Sequence, residues 1–271
     1  MSIQTQIDRI SESVSAALTA LTEKGVTVPD GTKVDGLAAL ISAIESGGGG
    51  TAISEVDQWL IDFWHQRTRF AYAFYYQSSI ENIPLIDTSN GTDFSYMFYS
   101  CPSLTTIPQL DVSNGTVFSY MFGSCSKLTT IPQLDVSNGS SFDSMFRNCS
   151  SLTTIHQLDV SNGRNFSNMF QSCSKLTTIP QLDVSNGSSF GNMFNYCSSL
   201  TTISFAEGCI KRAISFAQSS LLSGESVQSI IDGLADLTGG PYQKVTFHSD
   251  IVDKLTDEQK QQVTDKNWTI G

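Results

Sequence analysis

One motif recurs every 24 residues through the middle of this chain, and no other feature limits its possible folds as tightly. Cys101, Cys125, Cys149, Cys173 and Cys197 stand 24 apart. So do Ile83, Ile107, Ile131, Ile155, Ile179 and Ile203, as do the columns from Phe94 to Phe190, Met97 to Met193, Phe98 to Phe194 and Leu104 to Leu200. The unit reads LTTIPQLDVSNGxxFxxMFxxCxx. A fixed period in this range implies stacking, because one such unit cannot bury its apolar face alone and must cover it with a neighbour.

Two spacings coexist inside a unit. Phe118, Met121, Phe122 and Cys125 fall at i, i+3, i+4 and i+7, the stripe expected of a short helix facing inward. Ile107, Leu110 and Val112 suit an extended segment that feeds a curved parallel sheet. Ser113-Asn114-Gly115 reads as the turn between them, since Asn and Gly tolerate positive φ and a Ser or Asn side chain can cap a following helix. Pro108 has no N–H to give a ladder, so the regular strand should be short and lie beside it. Paired strands set a rise of about 5 Å per unit, so five units make a slab about 25 Å long that needs caps. The predicted fold class is α/β: a short solenoid of 24-residue units with caps at both ends, preceded by a helical, coiled-coil-like module.

The flanks suit that plan. Residues 53–82 read as an N-terminal cap with a degenerate unit: Phe70, Ala73, Phe74, Gln77 and Ile80 sit 24 before Phe94, Met97, Phe98, Cys101 and Leu104, and Trp59, Phe63 and Trp64 would cover the first face. The regular units occupy 83–203, and 204–271 read as a C-terminal cap. There Ile214, Ala217 and Leu221 continue the register, a helix is expected over 226–237, a strand over 242–247, a capping box at Thr256-x-x-Gln259 and a last strand at 268–270.

The unit, with its Met-Phe pair, three-residue step to Cys and following Leu-x-x-Ile, resembles the BspA-like, bacterial surface-protein type of leucine-rich repeat. The resemblance covers roughly residues 70–225 and implies a curved α/β solenoid used for protein or surface recognition, without catalysis. The opening residues MSIQTQIDRISES lack an apolar run and a small-residue cleavage site, so no export signal is expected, which departs from many members of that family.

Residues 1–46 form a separate module, followed by a Gly-rich linker at 47–52. Ile3, Ile7, Ile10, Val14, Ala17 and Leu21 alternate steps of four and three, a heptad seam that suits assembly of several chains, a homotrimer being the expectation. The stretch GVTVPDGTKVDGLAALISAIE resembles modules of tail, baseplate and other virion proteins from phages of Gram-positive bacteria, and LADLTGG through LTDEQKQQVTDKNWTIG resembles the ends of repeat proteins in that setting. These resemblances imply a virion location and other virion proteins as partners, with a host cell-surface protein or glycan as ligand. An extracellular or cell-surface adhesin is the alternative.

Composition narrows the partners. The chain carries 15 Lys+Arg against 26 Asp+Glu, a net charge of −11, which disfavours phosphate neutralisation and hence nucleic acid, and equally an anionic membrane surface. No run reaches the roughly 18 apolar residues a membrane span needs, so no insertion is expected.

No cofactor, metal or catalytic site is expected. Disulfides between adjacent units would leave one Cys of the five unpaired and Cys-x-x-Cys pairs are absent, so the column should be buried free thiols; Cys209 is out of register and unassigned. Asp87, Asp111, Asp135, Asp159 and Asp183 could suggest calcium, but each precedes a Ser whose N–H it can accept in its own turn, and the β-roll calcium spacing is missing. His65, His156 and His248 lie near no nucleophile motif, HExxH or phosphate loop. The copies vary around the predicted helix start and on its outward side. Tyr96, Tyr99, Tyr120, Arg147, Asn148, Arg164, Asn168, Gln171, Asn195 and Tyr196 are therefore the candidate ligand-binding residues, of types common in paratopes; solvated positions free to drift are the alternative.

Overall fold

The structure is a computed structural model that describes residues 68–83 and 86–271, all within one compact unit. The heptad seam from Ile3 to Leu21, the glycine linker, Trp59, Phe63, Trp64 and His65 lie outside the described residues.

Successive units stack in register. Parallel bridges run Arg69↔Asp93↔Val117↔Ser141↔Asn165↔Ser189, each step being 24 residues. The apolar columns follow. Phe70, Phe94, Phe118, Phe142, Phe166 and Phe190 form one ring stack with centroids 5.5–5.8 Å apart. Phe74, Phe98, Phe122, Phe146, Phe170 and Phe194 form a second at 5.4–6.0 Å. Met, Cys and Leu columns fill the space between, essentially without solvent exposure. Each such ring pair adds about 0.5–1.5 kcal/mol beyond its area burial.

The expected short helix is absent. Phe118 to Cys125 is a run of turns in which alternate N–H groups leave the unit: Phe118, Tyr120, Phe122 and Ser124 donate to carbonyls of Ser141, Asp143, Met145 and Arg147 at 2.7–3.0 Å, whereas Met121, Gly123 and Cys125 close i to i−3 turns at 3.0–3.1 Å. A helix about 10 Å across cannot repeat at the ~5 Å spacing of paired chains, and it would keep all its backbone bonds to itself. The i, i+3, i+4, i+7 stripe is still the buried face. What the period could not show is the left-handed residue at every fourth position, such as Tyr120 (φ 58°) and Ser124 (φ 63°).

The turn reading also changes. Asn114 and Gly115 do not have positive φ. Gly115 is required because a Cβ there would lie 2.5 Å from Phe118 Cζ and 2.8 Å from the Val112 carbonyl oxygen, and Gly91, Gly139, Gly163 and Gly187 show the same crowding by their own Phe. Regular strand in the units is confined to β1 (Thr178–Leu182) and β2 (Thr202–Phe205), paired parallel with a register shift between Ile179 and Leu182. Pro180 therefore lies inside β1, at the irregularity, where a missing N–H is tolerated. In the other units the Gln two residues after the Ile serves instead: Gln109, Gln133 and Gln157 Nε2 donate to the carbonyls of Gln133, Gln157 and Gln181 at 2.6–2.7 Å.

After β2 the period breaks. Phe216 of β3 (Ile214–Phe216) stacks on Phe194 at 4.8 Å, and Ser219 Oγ donates to the Cys197 carbonyl. Both offsets are 22 residues, so Phe216 and Ser219 continue the Phe194 and Cys197 columns two residues early, and Ala217 and Leu221, expected to follow Met193 and Cys197, are exposed. Helix α1 (Gly224–Gly233), capped by Ser223, lies on the open edge of β2, where its Ser226 and Ser229 hydroxyls accept the N–H groups of Ile203 and Phe205 at 3.0 Å. This covers an edge that would otherwise invite another strand. Strand β4 (Gln243–Phe247) pairs parallel with β3 and with β5 (Trp268–Ile270), giving the order β3-β4-β5. Between β4 and β5 come α2 (Ser249–Val252) and α3 (Asp257–Asp265), the latter opened by a complete Thr256–Gln259 capping box. Trp268 Nε1, buried, donates to the Ala235 carbonyl at 2.9 Å and ties β5 to the segment after α1.

Candidate functional site

Most polar columns of the stack are closed upon themselves. Asn114, Asn138, Asn162 and Asn186 Nδ2 donate to the carbonyls of Ser89, Ser113, Ser137 and Ser161, all at 2.8 Å. Asp111, Asp135 and Asp159 Oδ1 each accept the N–H and hydroxyl of the Ser two residues on, at 3.1 and 2.7 Å. The Ser137 hydroxyl and N–H hold the Asp135 carboxyl below its ordinary range. This column is engaged in its own turns, and among the described residues no three His, Cys, Asp or Glu side chains converge as metal ligands would. The thiols are closed too: Cys101, Cys125, Cys149, Cys173 and Cys197 are buried and free, and each Sγ donates to the carbonyl of the Phe 27 residues earlier at 3.0–3.1 Å. Cys209, unplaced by the period, uses the same 27-residue offset to the Leu182 carbonyl at 3.7 Å.

The variable columns differ. They occupy the second, fifth and sixth positions after the first Phe of each unit, and the second and sixth are the left-handed ones. In the second column Tyr72, Tyr96, Tyr120, Ser144, Asn168 and Asn192 have φ of 55–63°, and in the sixth Tyr76, Ser100, Ser124, Asn148, Ser172 and Tyr196 have φ of 57–63°. Asn suits this conformation, but a bulky L-residue pays about 1–2 kcal/mol for it. Five tyrosines nevertheless occupy these positions.

At one end of the face the tyrosines form a cluster. Tyr72, Tyr96 and Tyr120 stack at 4.9 and 4.6 Å with planes within 6° of parallel, and Tyr75 stacks on Tyr99 at 5.5 Å. Tyr76 meets Tyr75 and Tyr99 edge-on and is 59% exposed. Partial burial, with the neighbouring phenols of Tyr120 and Tyr72, pushes the Tyr96 hydroxyl up to about 12. Gly123 makes room for this packing, since a Cβ there would lie 2.9 Å from Tyr99 Cδ2. The other end is polar and loosely bonded. Asn168 Nδ2 reaches Asp143 Oδ1, Asn192 Nδ2 reaches Asn168 Oδ1 and Asn148 Nδ2 reaches Ser124 Oγ, each at 3.4 Å. Arg147 Nε and Gln171 Oε1 have no hydrogen-bond partner although both atoms are shielded from solvent. Tyr196 closes the sixth column, 55% exposed. Its backbone N–H donates to Gln218 Oε1 at 2.7 Å, but its ring stacks on no other aromatic ring among the described residues.

Nine of the ten predicted residues thus lie on these three columns. Arg164 does not: it stands in the neighbouring Thr/Ser column, where its N–H donates to the Ser140 carbonyl and its own carbonyl accepts from Ser188. Tyr72, Tyr75 and Tyr76 are members the sequence reading passed over, although Tyr72 and Tyr75 stand 24 residues before Tyr96 and Tyr99. Elsewhere, an open groove of about 630 Å³ is lined by Gln181, Phe205, Glu207, Glu225, Gln228 and Lys266 among others. Its Lys266 ammonium donates to the Ile231 and Asp232 carbonyls at the end of α1, both at 3.0 Å.

A fixed, self-bonded frame that carries a variable, incompletely bonded face defines a repeat protein. The model of the family described as "Mycoplasma protein of unknown function, DUF285" matches residues 68–177 and 129–205, together half of the chain. The chain belongs to this family, in agreement with the BspA-like character of its repeat. No curated protein and no solved structure matches it.

Proposed function

We propose that this chain is a phage virion protein of the tail, baseplate or fibre class. In this reading the stacked units form a short α/β leucine-rich-repeat solenoid that binds a host surface molecule, and the module at 1–46 attaches the chain to the particle or trimerises it. The observation that carries the binding role is the contrast between ladders: Asn114, Asn138, Asn162 and Asn186 with Gln109, Gln133 and Gln157 of the frame close at 2.6–2.8 Å, whereas Asn148, Asn168 and Asn192 on the variable face reach their partners only at 3.4 Å. Unused donors and acceptors on a rigid support are ready for a ligand. Catalysis has no part in this reading. Several weakly binding copies on one particle would act by avidity.

Replacing Tyr96, Tyr120 and Tyr196 with Ala should lower binding to host cells; Tyr196→Ala should leave the melting temperature little changed, whereas loss of the Tyr96–Tyr120 stack should lower it, and undiminished binding in the triple variant would remove the face from the proposal. Particle fractionation with mass spectrometry tests the location, since a chain that never sediments with virions is not a virion protein. Deleting residues 1–46 should dissociate the oligomer in sedimentation, and a monomeric full-length chain would refute the trimer. The second reading, a bacterial surface or secreted adhesin, draws support from the family description, which names a bacterium. An export locus beside the gene would favour it and tail genes would favour the first.

A further inference from the structure

The sixth column of the variable face begins and ends on an exposed ring. Tyr76 is 59% exposed and Tyr196 55%, with Ser100, Ser124, Asn148 and Ser172 between them. Both rings sit on left-handed backbone, φ 60°, where their column-mates are Ser or Asn. Tyr76 still packs edge-on against Tyr75 and Tyr99, but the Tyr196 ring stacks on no other aromatic. Tyr196 therefore carries backbone strain without a stacking return to the fold, which points to a role outside it.

Resting on the reading that this face is the recognition surface, we infer that its ligand is a linear glycan laid along the stacking axis. Three features favour a sugar chain over a protein. The second, fifth and sixth columns carry no aliphatic side chain in any of the six units from Phe70 to Tyr196, so the face presents rings, hydroxyls, amides and one guanidinium, the groups that meet a sugar's faces and rim. The amides of Asn148, Asn168 and Asn192, each bonded only at 3.4 Å, supply the paired donors and acceptors that vicinal hydroxyls need. Finally the face is periodic, with a rise of about 5 Å. A polysaccharide is the polymer whose own unit, a ring that is apolar on its faces and hydroxylated at its rim, can meet successive coils alike. The exposed rings of Tyr76 and Tyr196 would take sugar faces at the two ends, and the hydroxyls and amides between would take the rims.

The test uses the full-length chain beside Tyr76→Asn and Tyr196→Asn, which remove the rings while keeping a residue suited to positive φ. The probes are immobilised cell-wall and capsular polysaccharides of Gram-positive bacteria and, separately, deglycosylated surface proteins of the same cells. Binding to a polysaccharide that falls about tenfold in each variant, at an unchanged or raised melting temperature, is the expected result. Binding only to the protein fraction, with the same loss in the variants, overturns the glycan and leaves the recognition face standing. Polysaccharide binding unchanged in both variants overturns the site assigned here and the recognition face with it. No binding to either fraction overturns the ligand class and the reading beneath it.

Discussion

Raising the pH from 8 to 10 should destabilise this protein, through a column of side chains that never meets solvent. Burial pushes the Cys101 thiol up to about 11 and the Cys197 thiol up to about 12 from 9.0, and holds those of Cys125, Cys149 and Cys173 well above 9.0. The unfolded chain loses these protons as pH passes 9.0, whereas the folded chain keeps them. Because the unfolded state then binds fewer protons, stability is complete below pH 9 and falls as pH rises toward the folded values. One unit above 9.0, Cys101 and Cys197 each forfeit about 1.4 kcal/mol, together about 3 kcal/mol at pH 10, and Cys125, Cys149 and Cys173 act in the same direction. That is a large part of a domain's stability, about 5–15 kcal/mol. Urea unfolding followed by circular dichroism at pH 8, 9 and 10, under reducing conditions, measures the loss. Cys197→Ala should start less stable at pH 8 yet lose about 1.4 kcal/mol less on going to pH 10. Equal wild-type stability at pH 8 and pH 10 would refute the argument, because the thiols would then have to be hydrated in the fold.

Two substitutions of glycine should separate steric need from backbone freedom. Gly139→Ala puts a Cβ 2.4 Å from Phe142 Cζ and should cost about 1–3 kcal/mol, or roughly 2–12 °C in melting temperature, whereas Gly191→Ala meets nothing within 4 Å and should be neutral or slightly stabilising; equal effects would sink the distinction. Thr256→Ala removes the hydroxyl that accepts the Gln259 N–H and should cost about 1 kcal/mol by thermal unfolding, with Thr256→Ser restoring most of it.

The stacking partners were legible because they depend on spacing alone: a period of 24 names every member of the Phe, Met, Cys and Leu columns, and the structure buries them all. Local conformation was not, because the stripe of Phe118, Met121, Phe122 and Cys125 fits a helix and a left-handed turn series equally well. Only the ~5 Å pitch forbids the helix, and pitch is a relation between units. Gly115 was misjudged for a related reason: its need comes from the Phe118 ring folding back on it, a contact that no local φ preference reveals. On the variable face, hypervariability between copies picked out Tyr96, Tyr120 and Tyr196, but Tyr72, Tyr75 and Tyr76 were hidden in a unit whose core positions have drifted to Ala73 and Gln77. Arg164 varies as they do and yet lies on another column, since variation reports solvent contact without direction.

The 22-residue step from Phe194 to Phe216, with the Ser226 and Ser229 hydroxyls seated on the open edge of β2, acts as a stop codon written in geometry. Upstream of it, every coil offers the next an identical template, so gene duplication or loss in whole multiples of 24 leaves each contact already solved. Beyond it, no further coil can be appended, because the donors that would receive one are taken. Reach can therefore be lengthened or shortened by counting coils while the terminus stays the same, and an insertion of any other length is the kind of change this architecture cannot absorb.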